Sequence, residues 1–412
     1  MKNLIFILLY AFLYQIIHVE YLVKTFGYMG YHAYPISLFT YISTVSILVA
    51  PMLVKPKKIF FLEINFTIFY LLFYIPVIIT FANHYHKSFD VVVNQLLLLL
   101  GFLIIFLLPK VRLFKPVLLK FRLLDFKYYL LSITLVIVYL YFKFRETYSI
   151  VSFEQVYEQR FSTQNNSLLD GYLILWMTYL LGPFIIVKGL VRKNKYWVLF
   201  GFFSVIFIYG INANKISLFI PMFMILIFYL KKWGKDILTS CTFLFSILIT
   251  SLFWLSDYIS TIASVVLMRT FGIAGLLTYQ YNEFFSSNAK TFFTQINIIN
   301  FLSGNSYPYP RALGYMVGAD YSTNENYNAN ANFIATDGIA SLGAVGIIII
   351  SIIVGLYFAF VRSQVTMKNQ LIVGLMYVPF CFIVLNVSFF TSLLSGGFCF
   401  LNMYFFLKEA NG

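Results

Sequence analysis

The sequence predicts an all-α integral membrane protein that crosses the bilayer about twelve times, and three observations predict it. Of its 412 residues, 61% are hydrophobic and only 11% charged, against about one quarter charged in soluble domains, and the mean hydropathy is +0.84. Apolar runs of about 20 residues, the length that spans a hydrocarbon core, recur along the chain. Basic residues gather in alternate connections between those runs, as topology demands of cytoplasmic loops.

The first run, residues 3–23, has no small-residue cleavage site behind it and reads as a retained span rather than a removable signal peptide. Further spans are expected at 34–54, 59–82, 90–108, 128–146, 171–190, 196–211, 216–231, 236–257, 337–361, 371–390 and 392–408, within one polytopic domain over 1–412. The connection KVRLFKPVLLKFRLLDFK (110–127) carries six Lys or Arg and fixes the cytoplasmic side. Alternation from there puts KPKK, KGLVRKNK, KKWGK and both termini on that side, which then holds 20 of the 29 basic and four of the 15 acidic residues. This partition accounts for the formal charge of +14, so the positive charge is topological and no nucleic-acid partner is expected. Cys241, Cys381 and Cys399 fall in apolar runs without paired spacing, which suits small core residues better than a zinc site or disulfide framework.

Two outer connections are enlarged, at 147–170 and 258–336. The larger opens with YISTIASVVLMRTFGIAGLLTYQY, apolar but for Arg269, and continues through NEFFSSNAKTFFTQINIINFL to the proline-stiffened SYPYPRALGY. It is expected to lie along or dip into the outer leaflet; the competing reading, a thirteenth span, sets Arg269 in mid-membrane at high cost. Its last part, YNANANFIATDGIASLGAVGIIII, passes without a linker from alternating asparagines into an apolar run with Asp337 at the lip. Asp337 or Asn332 can cap the helix start, and Gly338 and Gly343 permit close helix packing. Capping leaves Asn328, Asn330 and Asn332 unexplained as a set, and their paired donors and acceptors suit a carbohydrate.

On these residues the chain resembles the oligosaccharide repeat-unit polymerases of bacterial surface polysaccharide assembly, the Wzy type. The likeness rests on NANANFIATDGIASLGAVG entering a late span after a large outer loop that holds PYPR, and on RFSTQNNSLLDG, where Arg160 is followed after ten residues by Gly171 in the other enlarged loop. It implies a GT-C-like membrane glycosyltransferase of the bacterial cytoplasmic membrane. The implied substrates are an undecaprenyl-diphosphate-linked glycan donor and a lipid-linked acceptor repeat unit, the product is O-antigen, capsule or exopolysaccharide, and a flippase and a chain-length regulator are the implied partners. No cofactor is implied.

Breaking a glycosyl–diphosphate bond develops negative charge on the departing diphosphate, which guanidinium groups meet with fixed bidentate donors. The outer side carries four arginines, Arg145, Arg160, Arg269 and Arg311. Arg145, and in the alternative Arg160, suits a structural pair with Glu146, Glu154 or Glu158, and Arg160, Arg269 and Arg311 are the expected diphosphate ligands. A carboxylate near the acceptor hydroxyl can take its proton; Asp337, bordering loop and membrane, ranks first and Asp320 second, ahead of Glu154, Glu158, Asp170 and Asp257. Gly171, Asn328, Asn330, Asn332 and Asp320 complete the expected substrate contacts. The outer acids show no DxD pattern, so no metal is expected and the transfer is read as inverting. His84 and His86, in ANHYHKS, are read as surface residues of a short loop. Two rivals stand beside this reading: a flippase or transporter of lipid-linked oligosaccharides, and an O-antigen ligase, which lacks its histidine here because Asn332 occupies that place.

Overall fold

The computed structural model describes residues 2–116, 126–151, 159, 167–214, 216–322 and 327–402, and among them every regular element is helical. In chain order the helices are α1 (Asn3–Met29), α2 (Leu38–Val54), α3 (Phe60–His84), α4 (Ser88–Lys110), α5 (Phe126–Phe144), α6 (Leu168–Val191) and α7 (Lys195–Asn212). There follow α8 (Ile216–Lys232), α9 (Ile237–Trp254) and α10 (Ser260–Ser287), the short α11 (Asn297–Ser303) and α12 (Leu313–Tyr321), α13 (Ile334–Ser363) and α14 (Gln370–Val384), and α15 (Phe389–Leu394). Among the described residues nine of these, α1, α3 to α7, α9, α10 and α13, are long and apolar enough to cross a membrane, and α2 and α14 are shorter apolar helices. The chain is therefore a multi-pass, all-helical membrane protein.

Helix α3 is the axis of the bundle. Its sequence is apolar on every side, the pattern of an enclosed helix, and it is buried along its whole length. Phe66, Tyr70 and Tyr74 pack on Phe102 of α4, and Phe69 packs on Phe333 and Phe358. The Tyr70 and Tyr74 hydroxyls donate to the carbonyls of Leu48 and Ile47 at 2.7 and 2.8 Å, which joins α2 to α3. Gln15 and Asn83 exchange amide hydrogen bonds at 2.9 and 2.8 Å, so the Gln15 amide of the first span is satisfied between helices.

Three expected boundaries change. The span placed at 371–390 ends at Val384, and a break at 385–388 leads into α15, whose Ser388 accepts from the Thr391 amide as its cap. The last expected span, 392–408, is described as far as residue 402: α15 ends at Leu394, the chain breaks at 395–397 with Gly397 at φ 80°, and helix resumes over 398–402. The larger outer segment is not loop throughout: its first part is α10, with a π-helical stretch at Ser264–Gly272 that contains Arg269. Ser264 lies 3.3 Å from the Tyr21 hydroxyl, and Asn282 donates to the Tyr85 hydroxyl at 2.6 Å. Both contacts sit just beyond the rings of His18 and His84, which are 5.4 Å apart, so α10 begins and ends toward one end of the bundle.

The run expected as one span from 337 to 361 is folded back on itself. Leu342 (φ −144°, ψ 17°) and Gly343 (φ 61°, ψ −133°) leave helical geometry, and a Cβ on Gly338 would meet atoms of Gly346, Ile347 and Ile350 at 3.1–3.3 Å. In a straight helix residues 338 and 350 stand about 18 Å apart. Phe333 packs on Phe69 and Phe73 midway along α3, so the first limb rises from the interior to the turn, and the second descends along α4 until the Arg362 guanidinium donates to the Pro109 carbonyl. Residues 344–363 suffice for one crossing. The backbone needs glycine at two places here. The Gly343 dihedrals belong to a region that side chains avoid, and a Cβ on Gly346 would fall 2.0 Å from the Gly338 carbonyl oxygen.

Replacing Gly343 by Ala is expected to lower stability by about 1–3 kcal/mol through backbone strain. Gly346→Ala is expected to cost more, because it separates the limbs themselves. Thermal unfolding of the purified chain in detergent checks the order; equal stability of Gly346→Ala and the natural chain would refute the hairpin.

Candidate functional site

The reversal in α13 leaves backbone carbonyls at the end of the first limb without helical partners, and the loop after α10 takes them. The Thr291 amide donates to the Ala340 carbonyl at 2.9 Å, and the Phe292 amide to Ser341 at 3.1 Å. Gln295 Nε2 donates to the Thr336 carbonyl and the Ser341 hydroxyl at 3.0 and 2.9 Å. Phe292 and Phe293 both take positive φ, 49° and 65°, a strained backbone held in place by these bonds. At the start of the limb Asn332 is the cap: its Oδ1 accepts from the Ala335 amide at 3.1 Å, and its Nδ2 donates to Thr278 of α10 at 2.8 Å.

Beside this clasp lies a cavity of about 570 Å³. Tyr281 of α10, Gln295, Tyr307, Arg311, Asn330, Thr336 and Ser388 line it, so five separate stretches of chain converge there. The PYPR loop is anchored by Tyr309, whose hydroxyl donates to the Ala289 carbonyl at 2.6 Å and whose ring packs on Phe284 and Phe285. That anchor presents Arg311, which is exposed and has no hydrogen-bond or ion-pair partner among the described residues. The hydroxyls of Tyr281 and Tyr307 are buried without partners among the described residues. Burial, with Tyr309 adding to it, pushes the Tyr307 hydroxyl up to about 12, so it remains a hydrogen-bond donor at neutral pH.

Asp337 stands immediately behind the wall. It is fully buried on the first limb; its Oδ2 accepts from the Phe389 amide at 2.6 Å, and its Oδ1 has no hydrogen-bond partner among the described residues. Its structural role is thus to hold the start of a different helix, α15, rather than its own. Tyr281 lies within electrostatic range of both Tyr307 and Asp337. One guanidinium and two tyrosines therefore line a single polar space, with the carboxylate behind its wall, a set able to bind a phosphate and orient sugar hydroxyls.

The expected site residues divide. Arg311 and Asn330 line the cavity and Asp337 adjoins it. Asn328 is exposed on the same extended segment, and its side chain, with that of Asn330, closes over Gly314 of α12. Asn332 is 1% exposed and committed to capping, so its role is to start the limb, not to meet solvent. Asp320 is exposed at the opposite end of α12 from Arg311. Arg269 is exposed on α10 outside this cavity, within electrostatic reach of Tyr31. Gly171 lies in the first turn of α6, where Ser167 and Asp170 form a reciprocal cap, and Arg160, with Glu154 and Glu158, lies outside the described residues.

His84 corrects the surface reading of ANHYHKS. It is 2% exposed, set against Tyr279 with ring centres 4.6 Å apart, because α10 covers the end of α3; His86 is exposed and packs on Tyr34. No group of three His, Cys, Asp or Glu side chains suited to a metal ion occurs among the described residues. Tyr281, Gln295, Tyr307 and Ser388 were not singled out from the sequence, where aromatic and small polar residues are too common to mark a site.

The two functions open to Asp337 separate by substitution. Asp337→Asn keeps an acceptor for the Phe389 amide and is expected to retain most stability, whereas Asp337→Ala strands that N–H and is expected to cost about 1–3 kcal/mol, as thermal unfolding measures. The chain matches no protein-family model, no curated protein and no solved structure.

Proposed function

We propose that the protein is a metal-independent membrane glycosyltransferase that joins lipid-diphosphate-linked oligosaccharide repeat units into a surface polysaccharide, at the outer face of a bacterial cytoplasmic membrane. What carries the reading is Arg311, a guanidinium without a hydrogen-bond or ion-pair partner among the described residues, in a polar cavity beside a buried carboxylate. In this reading the acceptor hydroxyl oxygen attacks the anomeric carbon of the donor from the face opposite the diphosphate. The carbon–oxygen bond to the diphosphate breaks, the electron pair leaves with it, and Arg311 meets the charge that develops. The hydroxyl proton passes to Asp337, beside which Thr336 and Ser388 line the cavity. Tyr307 and Asn330 bind sugar hydroxyls. Donor and acceptor each carry a diphosphate, and Arg269 and Arg160 are assigned to the second, with Asp320 and Gly171 at its margin. About twelve crossings, a GT-C-like architecture and cytoplasmic termini belong to the same proposal.

One observation favours a second reading. The reversal in α13 and the extended segment before it resemble the broken helices with which transporters build substrate sites, which suits a flippase for the same lipid-linked sugars.

A strain lacking the protein, complemented at matched membrane levels with the natural chain, Arg311→Ala or Arg311→Lys, separates the two by gel analysis of surface glycans. A polymerase predicts that deletion leaves a single exposed repeat unit. Arg311→Ala should then lower material longer than one unit by about 100-fold or more, with Arg311→Lys between the two. Loss of even the single unit, with lipid-linked repeats held on the cytoplasmic side, would establish the flippase instead.

A further inference from the structure

A second cavity, of about 810 Å³, lies at the opposite end of the bundle from the polar one. The polar cavity adjoins the His84 end of α3 through Tyr279 and Tyr281; this one adjoins the Phe60 end, where the Lys231 ammonium sits 4.7 Å above the Phe60 ring. Its walls are apolar: Leu190 of α6, Val198 and Leu199 of α7, Ile225 and Phe228 of α8, and Leu371 of α14. Leu199 and Tyr229 are exposed, so the cavity opens on the outer, lipid-facing surface of the helices.

Its rim is basic. Lys193, Lys195, Lys231 and Lys232 border it, and none forms an ion pair among the described residues. Lys231 shares its field with buried Glu63; Lys193, Lys195 and Lys232 have no acidic partner among the described residues, and Lys232 rests 5.7 Å over the exposed Tyr229 ring. Lys193 carries a further mark. It closes α6 in a Schellman turn, with the Lys193 amide on the Leu190 carbonyl at 3.3 Å and the Asn194 amide on Gly189 at 2.8 Å, and its φ is 55°. Glycine is the residue that fits this left-handed position without strain, so a lysine there is held at a cost to the turn, and its ammonium at the cavity mouth is what the cost maintains.

We infer that this cavity binds an anionic glycerophospholipid of the adjoining leaflet, its acyl chain between α7 and α8 and its phosphate on Lys193, Lys195 and Lys232. An apolar cleft open to the bilayer admits a hydrocarbon chain and excludes a free phosphate or nucleotide. A triad of unpaired ammonium groups selects a net negative headgroup over a zwitterionic one. The site is independent of the glycan chemistry proposed above and needs no residue of it.

The test uses the purified full chain, delipidated in neutral detergent and titrated with dioleoylphosphatidylglycerol, dioleoylphosphatidylcholine or undecaprenyl phosphate. Thermal unfolding and native mass spectrometry are the readouts. Phosphatidylglycerol is expected to stay bound and raise the unfolding temperature saturably, and phosphatidylcholine to do neither. Lysine-to-glutamine changes at 193, 195 and 232 should each weaken phosphatidylglycerol binding roughly fivefold. Lys193→Gly separates binding from folding: the lipid-free variant should unfold at the same or a higher temperature, yet bind phosphatidylglycerol about fivefold more weakly. Equal retention of phosphatidylcholine, undiminished binding by Lys193→Gly or the triple variant, or preference for undecaprenyl phosphate would each overturn the assignment.

Discussion

A backbone carbonyl or amide that loses its helical partner inside an apolar medium must find another, since no water is at hand to replace it. The reversal at Leu342–Gly343 creates several such groups at once, and the rest of the site is arranged around them. Asn332 takes an amide at the start of the first limb, Thr291, Phe292 and Gln295 take carbonyls at its end, and Asp337 spends one oxygen on the first amide of α15. These bonds tie α10, α13 and α15 to one another and define the cavity among them. A straight helix over 334–363 would still need its Asn332 cap, but not the bonds from Thr291, Phe292 and Gln295, and would enclose no such space.

Of the buried polar side-chain atoms without partners among the described residues, nine fall in two groups: Tyr281, Tyr307 and Asp337 lie in or behind the cavity wall, while Tyr14, His18, Tyr31, Thr80, His84 and Gln280 gather where α1, α3 and α10 meet; the tenth, Ser351, stands against Gly101 of α4. Six orphans in one layer between helices are too costly to be random, since each unsatisfied group forfeits about 1–3 kcal/mol. In the cavity the orphans face a space large enough for a ligand; between the helices they face one another.

Composition and basic loops made the membrane class and most helices legible, because hydrophobic length and charge asymmetry are imposed by the bilayer itself. Direction is not. The run from Ile334 to Phe360 is apolar whichever way the chain points, and Gly338, Gly343 and Gly346 have the spacing of ordinary close helix packing; only the dihedrals of Gly343 distinguish a reversal. That Arg311 is presented on a stiffened segment was legible from the prolines before it; that this segment lines a cavity depends on Tyr309 docking against α10. His84 was not, because its burial depends on α10, nearly 200 residues away in sequence, and the short segment around it is polar. Asn332 was half legible: its capping chemistry follows from residue type, whereas its isolation from solvent depends on Thr278.

The histidine layer illustrates how far one backbone residue can set the chemistry of its neighbours. The His32 carbonyl lies 3.1 Å from His18 Nε2, and the His32 amide donates to His84 Nε2 at 3.2 Å. A carbonyl can only accept and an amide can only donate, so neutral His18 carries its proton on Nε2 and neutral His84 on Nδ1. The two free Nδ1 atoms are therefore opposite in kind, an acceptor on His18 and a donor on His84. Two histidines of identical composition are thus fixed in complementary tautomers by a single peptide unit, and the layer between α1 and α3 is polar without carrying net charge. Arg311 stands at one end of the bundle and the lysine rim at the other, and the interior between them is held chiefly by hydrogen bonds and by aliphatic and aromatic packing.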